Sequence, residues 1–177
     1  MASELHVDAI KHSGGTSALT INSSGHVHSA GHAIQTQTTQ GNFSYQEISS
    51  TSMVEVTDMN VTITPKFSSS KILVSLQTAW WLTTDANNYM ITTIYRSIGG
   101  GSFSNLAVDN TYDALRFHAP ARTATWTSTC NIDYIDTPNT TSAVVYKFYA
   151  RRYDGTNNVR VKYAQTSSFI MATEVAQ

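Results

Sequence analysis

Charged side chains are scarce in this chain. Asp, Glu, Lys and Arg make up 13% of its 177 residues, about half the usual share. The 11 basic and 12 acidic residues nearly cancel, so there is no electrostatic footprint for nucleic acid or an anionic membrane. Cysteine occurs once, at Cys130, which excludes an intrachain disulfide. Its setting, "TSTCNID", reads as a strand with a buried structural thiol. No apolar run approaches the roughly 20 residues that cross a bilayer as a helix. The opening "MASELHVDAI" lacks the basic and apolar regions of a signal peptide. No stretch sustains a capped 3.6-residue apolar period. Catalytic signatures are missing as well: there is no G-x-S-x-G, Walker loop, Gly-rich dinucleotide turn, C-x-x-C or H-E-x-x-H. No catalytic residue is assigned, and no cofactor is implied.

Thr, Ser, Tyr and Val fill the space that charge leaves. Branched and aromatic side chains fit a pleated surface, and a chain that is 41% hydrophobic is not a disordered one. Strand-like runs recur: "GHAIQTQTTQ", "SSTSMVEVTDMNVTITP" with a bend expected at "TDMN", "SKILVSLQTAWWLTT", "YMITTIYRSI", "NTYDALRFHAP", "RTATWTSTCNIDYID", "SAVVYKFYARRY", "VRVKYAQ" and "SSFIMATEV". Turn signals such as "DANN", "GGGS", "TPNTTS" and "DGTNN" separate them. The pattern predicts an all-β fold, an antiparallel β-sandwich or jelly roll. Its expected core includes Ile72, Val74, Val145, Phe148 and Val161.

The first 30 residues differ. "ELHVDAI" and "ALTIN" are short strands between tight turns and cannot bury a face by themselves. The expected organisation is an N-terminal leader or anchor over residues 1–30 and a sandwich over 31–177. Leu5, Val7, Leu19 and Ile21 are the leader's candidate contact residues.

Five of the six histidines fall in the first 32 residues. His26 and His28 are two apart, which on a strand places both on one side. Three copies about a symmetry axis would offer three imidazoles to zinc or nickel. Against this, no carboxylate or cysteine lies at ligand spacing, and neutral polar packing in a contact accounts for the same residues. Protonation near pH 6.5 would weaken a contact lined by them. Trp80 and Trp81 are adjacent, so one should point inward and the other outward; the outward ring serves a subunit contact or a ligand platform. Asp133 and Asp136 should face opposite sides of a strand and form no acid–base pair. Arg151 and Arg152 follow a strand, Arg160 and Lys162 share one strand face, and all four read as a solvated or interface face. Asn87, Asn88, Asn157 and Asn158 lie in turns that suit a glycan site, although Asn also simply favours turns.

"NVTITPKFSSSKILVSL", residues 60–76, resembles a stretch found in many tailed-phage virion proteins, where a strand ends in "ITP" and "SKILV" starts the next. "GHAIQTQTT", "IYRSIGGGS", "IDYIDTPNTTSAVVYKFYAR" and "SSFIMATEVA" resemble further segments of that family in order, and the opening 27 residues resemble its leader. The resemblance implies a homotrimeric jelly roll of tumour-necrosis-factor type. The implied role is a virion-surface part made in the host cytoplasm, not an enzyme. A leader this short favours a capsid decoration or cement protein bound to the major capsid protein. The alternative is a short tail or head fibre recognising a host surface glycan. Low charge, nine tyrosines and flat polar strands such as "QTQTTQ" favour self-association independently, but the number three comes from the resemblance alone.

Overall fold

The computed structural model describes residues 6–15, 17–82, 89–107, 114–118, 126–153, 158–162 and 167–177. Among these residues the regular structure is entirely β: β1 (Ala9–Lys11), β2 (Ser17–Ile21), β3 (Val27–His28), β4 (Ala33–Gly41), β5 (Gln46–Ile48), β6 (Val54–Ile63), β7 (Lys71–Leu82), β8 (Met90–Ile98), β9 (Ser104–Asn105), β10 (Arg116–His118), β11 (Trp126–Asp136), β12 (Val144–Arg152), β13 (Val159–Val161) and β14 (Ser168–Val175).

Two antiparallel sheets form the sandwich. One runs β10-β8-β12-β6, with β9 also on β8. The other runs β4-β14-β7-β13-β5, with β11 along the other side of β7. Period-two alternation sends one phase of each strand inward. Ile72, Val74 and Leu76 of β7 meet Ile94 of β8 and Tyr146 and Phe148 of β12 in a single buried cluster. Cys130 is buried, with the Thr92 hydroxyl 3.7 Å from its sulfur. The third sheet, β1-β2-β3, pairs only within itself.

Four of the five expected core residues, Ile72, Val74, Phe148 and Val161, are fully buried. Val145 is not: it is half-buried, and its neighbours Val144 and Tyr146 take the core positions. In "SAVVYKFY" two adjacent valines precede the alternation, so the sequence leaves the phase open; Tyr146 and Phe148 set it. Ile72→Ala should therefore cost about 2 to 4 kcal/mol through lost burial and a cavity, and Val145→Ala less than about 1 kcal/mol. Urea unfolding of both variants checks this, and equal losses would contradict the register.

The bend expected at "TDMN" is instead an irregularity inside one strand. β6 continues through it, and the register against β12 shifts between Lys147 and Tyr149. Asp58 takes the left-handed conformation there, φ 66°. Both Val56 and Met59 then point into the core, which strict alternation forbids. The extra residues are gripped by side chains: Gln46 Nε2 donates to the Glu55 carbonyl at 2.8 Å and its Oε1 accepts the Thr57 N–H at 2.8 Å, while Lys162 Nζ donates to the Thr57 carbonyl at 2.8 Å.

Candidate functional site

The segments that carry the family resemblance converge on two polar clamps. In the first, Asp136 at the end of β11 reaches into the sandwich. Its Oδ1 accepts from Arg96 Nη1 at 2.7 Å and the Thr137 N–H at 2.9 Å, and its Oδ2 accepts the Tyr146 hydroxyl at 2.7 Å. This ties β11 of one sheet to β8 and β12 of the other. Burial, reinforced by the Asp136 charge, holds the Tyr146 hydroxyl well above the usual tyrosine range. In the second clamp, the fully buried Glu174 of β14 accepts the backbone N–H groups of Lys66 and Phe67 at 2.8 and 3.2 Å. Its other oxygen accepts Gln35 Nε2 at 2.7 Å. Glu174 therefore fixes the loop after "ITP" against the first strand of the sandwich. The arginine, aspartate and glutamate of these segments tie the two sheets and a loop together.

The surface chemistry lies on the outer face of the larger sheet. Opposed residues there form three rows across β11, β7, β14 and β4: Ile135–Leu73–Thr173–Thr36, Asp133–Ser75–Met171–Thr38, and Asn131–Gln77–Phe169–Gln40. A single charge, Asp133, stands in these rows, and it accepts the Ser75 hydroxyl at 2.7 Å. Thr36 and Thr173 share a hydrogen bond at 3.1 Å. Ile135 is 64% exposed, and Leu73, Phe169 and Met171 are half-exposed. β14 presents its more apolar phase outward, Phe169, Met171 and Val175, because Ser168 and Glu174 occupy the inward one. Ser168 bonds Thr78 in the core at 2.8 Å. A strand with apolar side chains in both phases has two faces suited to burial, and mixed apolar and uncharged polar groups mark contact surfaces.

A second such surface belongs to the N-terminal sheet. Ile10 opposes Leu19, and Ile21 opposes Val27. Leu19 and Ile21 are two apart on β2, so all four apolar positions share one face. Ile10 is 54% and Val27 50% exposed. Leu19 and Val27 line a crevice of about 460 Å³ with His26, His32 and Ile34. The sheet joins the sandwich where Gly31, at φ 82°, donates its N–H to the Ala176 carbonyl at 2.9 Å.

The sequence candidates scatter over these surfaces. His26 closes the β2–β3 turn, its N–H donating to Asn22 Oδ1 at 2.9 Å. His28 ends β3, and its side chain is not among those described. Among the described residues no three His, Cys, Asp or Glu side chains converge as a metal site would require. Val7 is 37% exposed, and Leu5 lies outside the described residues. Trp80 points into the core and Trp81 outward. The Trp81 ring is covered by the Arg160 guanidinium at 4.6 Å, which also lies 4.9 Å from the Tyr45 ring. Arg160 Nε donates to Glu47 at 2.9 Å, and Asn158 does so at 2.5 Å. These two hydrogen bonds, Asn158 first, lower the Glu47 pKa.

Three charge readings need correction. Lys162 is 2% exposed rather than solvated, because it is drawn in to clasp the β6 irregularity. Arg151 and Arg152 are the last residues of β12, not a segment after it. Arg160 and Lys162 do not share a strand face: β13 stops at Val161, and Lys162 turns to φ 58°. Asp133 and Asp136 do face opposite ways. Asn87, Asn88 and Asn157 lie outside the described residues.

Fold and surface together define an antiparallel β-sandwich whose larger sheet exposes a mixed apolar and uncharged polar face. No protein-family model matches the chain, and no curated protein matches it. Among solved structures, that of infectious bursal disease virus, Gx strain, aligns over 96% of this chain and 36% of its own, at a TM-score of 0.43 and 14% identity. The chain thus spans little more than a third of that neighbour's length, and a likeness of this degree carries no functional argument.

Proposed function

We propose that this protein is a structural virion component, a homotrimer that decorates a capsid and is held to it through residues 1–30. The outward apolar phase of β14 carries the assembly part of this reading: Phe169 and Met171, with Leu73 and Ile135 beside them, make a charge-poor sheet face suited to a second copy, which Val175 continues as far as the exposed Lys71. Closed rotation is the common way for identical chains to bury such a face. The stoichiometry of three and the virion setting rest on the resemblance of the "ITP…SKILV" and companion segments to tailed-phage virion proteins. The apolar face of Ile10, Leu19, Ile21 and Val27 gives the N-terminal sheet the means to dock on a capsid protein, since three short strands gain too little burial alone. The reading includes no catalytic role.

Light scattering tests assembly. The purified protein should show about three times the 19.4 kDa chain mass, and a stable monomer at micromolar concentration removes the trimer. Deleting residues 2–29 should leave a soluble, cooperatively melting trimer that no longer attaches to particles. Full occupancy by the truncated chain would show that the leader is not the anchor. Copy number per particle separates decoration, in the hundreds, from a fibre, in the tens or fewer.

A further inference from the structure

The smaller sheet has a different outer face. Tyr95 of β8 and Tyr149 of β12 stack there with centroids 4.0 Å apart and planes at 28°. Tyr149 backs the pair, while Tyr95 lines an open groove of about 670 Å³ with Thr51, Ser52, Met53, Asn105 and Arg151. Asn105 opposes Tyr95 on β9. Its side-chain oxygen accepts the buried Thr93 hydroxyl at 2.6 Å and the Ala107 N–H at 2.9 Å, which fixes the amide plane. Arg151 is steadied by the Thr51 carbonyl at 3.4 Å and lies against the Tyr153 ring.

From this groove we propose a carbohydrate-binding site that takes a pyranose of a surface glycan, its C–H face against Tyr95 and its hydroxyls toward Asn105, Arg151 and Thr51. Sugars pair an apolar ring face with a rim of hydroxyls, and the groove supplies the matching halves: one locked aromatic ring and planar donors and acceptors around it. A nucleic acid suits it poorly, because among the described residues Arg151 is the one cation lining the groove and the neighbouring Lys147 is already paired to Glu55 at 2.9 Å. An apolar peptide would find only Met53 and the tyrosine. The groove lies on the sheet opposite the assembly face, so its failure leaves the assembly reading untouched.

The test is a titration of the full-length protein, with tyrosine rings isotope-labelled, by the methyl glycosides of glucose, galactose, N-acetylglucosamine and glucuronic acid. At least one should shift the Tyr95 ring signals saturably. Tyr95→Ala should weaken that binding roughly tenfold, about 1.4 kcal/mol, while Tyr95→Phe, which keeps the ring, should retain it. If Tyr95→Ala unfolds, Arg151→Gln reads the same groove and should also weaken binding. No saturable shift with any of these glycosides at tens of millimolar overturns the site, as does parental binding by the folded Tyr95→Ala or Arg151→Gln variant.

Discussion

Asp136→Ala should destabilise the sandwich by about 3 to 5 kcal/mol, because it removes one partner of a buried ion pair and strands the others. Asp136 is 6% exposed in its side chain and Arg96 24%. Without the carboxylate, the guanidinium loses its 2.7 Å partner and the fully buried Tyr146 hydroxyl loses its acceptor. Asp136→Asn keeps an acceptor for Tyr146 but not the charge, and should fall between parent and alanine. Adding Arg96→Ala to Asp136→Ala should cost less than the two single losses together, since the stranded cation is then gone. Urea unfolding at fixed protomer concentration measures all of these. A loss below about 1 kcal/mol for Asp136→Ala would show that the clamp contributes no more than a surface pair.

The same clamp gives a pH dependence. Tyr146 has a folded pKa raised above its ordinary value of 10.0. The unfolded chain therefore releases this proton first, so the tyrosine's stabilising contribution is complete below pH 10 and drains away as pH rises above it. Tyr146→Phe should flatten that alkaline loss.

The second large effect is on assembly. Arginine at both Ile135 and Met171 should turn the proposed trimer into monomers at micromolar concentration while each sandwich stays folded. Both side chains point away from the core, on adjacent rows of the outer face. Burying an unpaired cation costs several kcal/mol, and a net penalty of about 3 kcal/mol per contact weakens association roughly a hundredfold. Light scattering should then report the 19.4 kDa chain mass, with far-ultraviolet dichroism unchanged. A double variant that keeps the parental mass would place the subunit contact elsewhere. The glutamine pair Ile135→Gln and Met171→Gln, which adds polarity without charge, should have a smaller effect.

Much of the architecture was legible in the amino-acid order. Turn residues and branched strands announce an antiparallel β-protein, and "SKILVSLQTAWWL" shows its core phase in Ile72, Val74 and Leu76. The Trp80–Trp81 pair splits inward and outward as adjacent strand residues must. The candidate surface was less legible. The leader's Leu19 and Ile21 stood out as apolar residues on a short strand, but the outer face of the larger sheet did not. Its rows join residues far apart in sequence, and only strand pairing makes Leu73, Ile135 and Met171 neighbours.

Local chemistry, then, determined by itself the fold class, the absence of an intrachain disulfide and most of the buried strand phases, because these depend on alternation and composition within a few residues. Tertiary structure alone decided which phase of β14 faces in. Phe169, Met171 and Val175 make the more apolar phase, yet the buried phase is that of Ser168, Ile170, Ala172 and Glu174. Glu174 satisfies the backbone of a loop more than a hundred residues away, and orphaned buried N–H groups are costly enough to override a modest apolar gain. Lys162 is buried for the same kind of reason, drawn in by the carbonyl of Thr57. Both outcomes arise because hydrogen-bond demands of a distant segment, invisible along the chain, outweigh local preference.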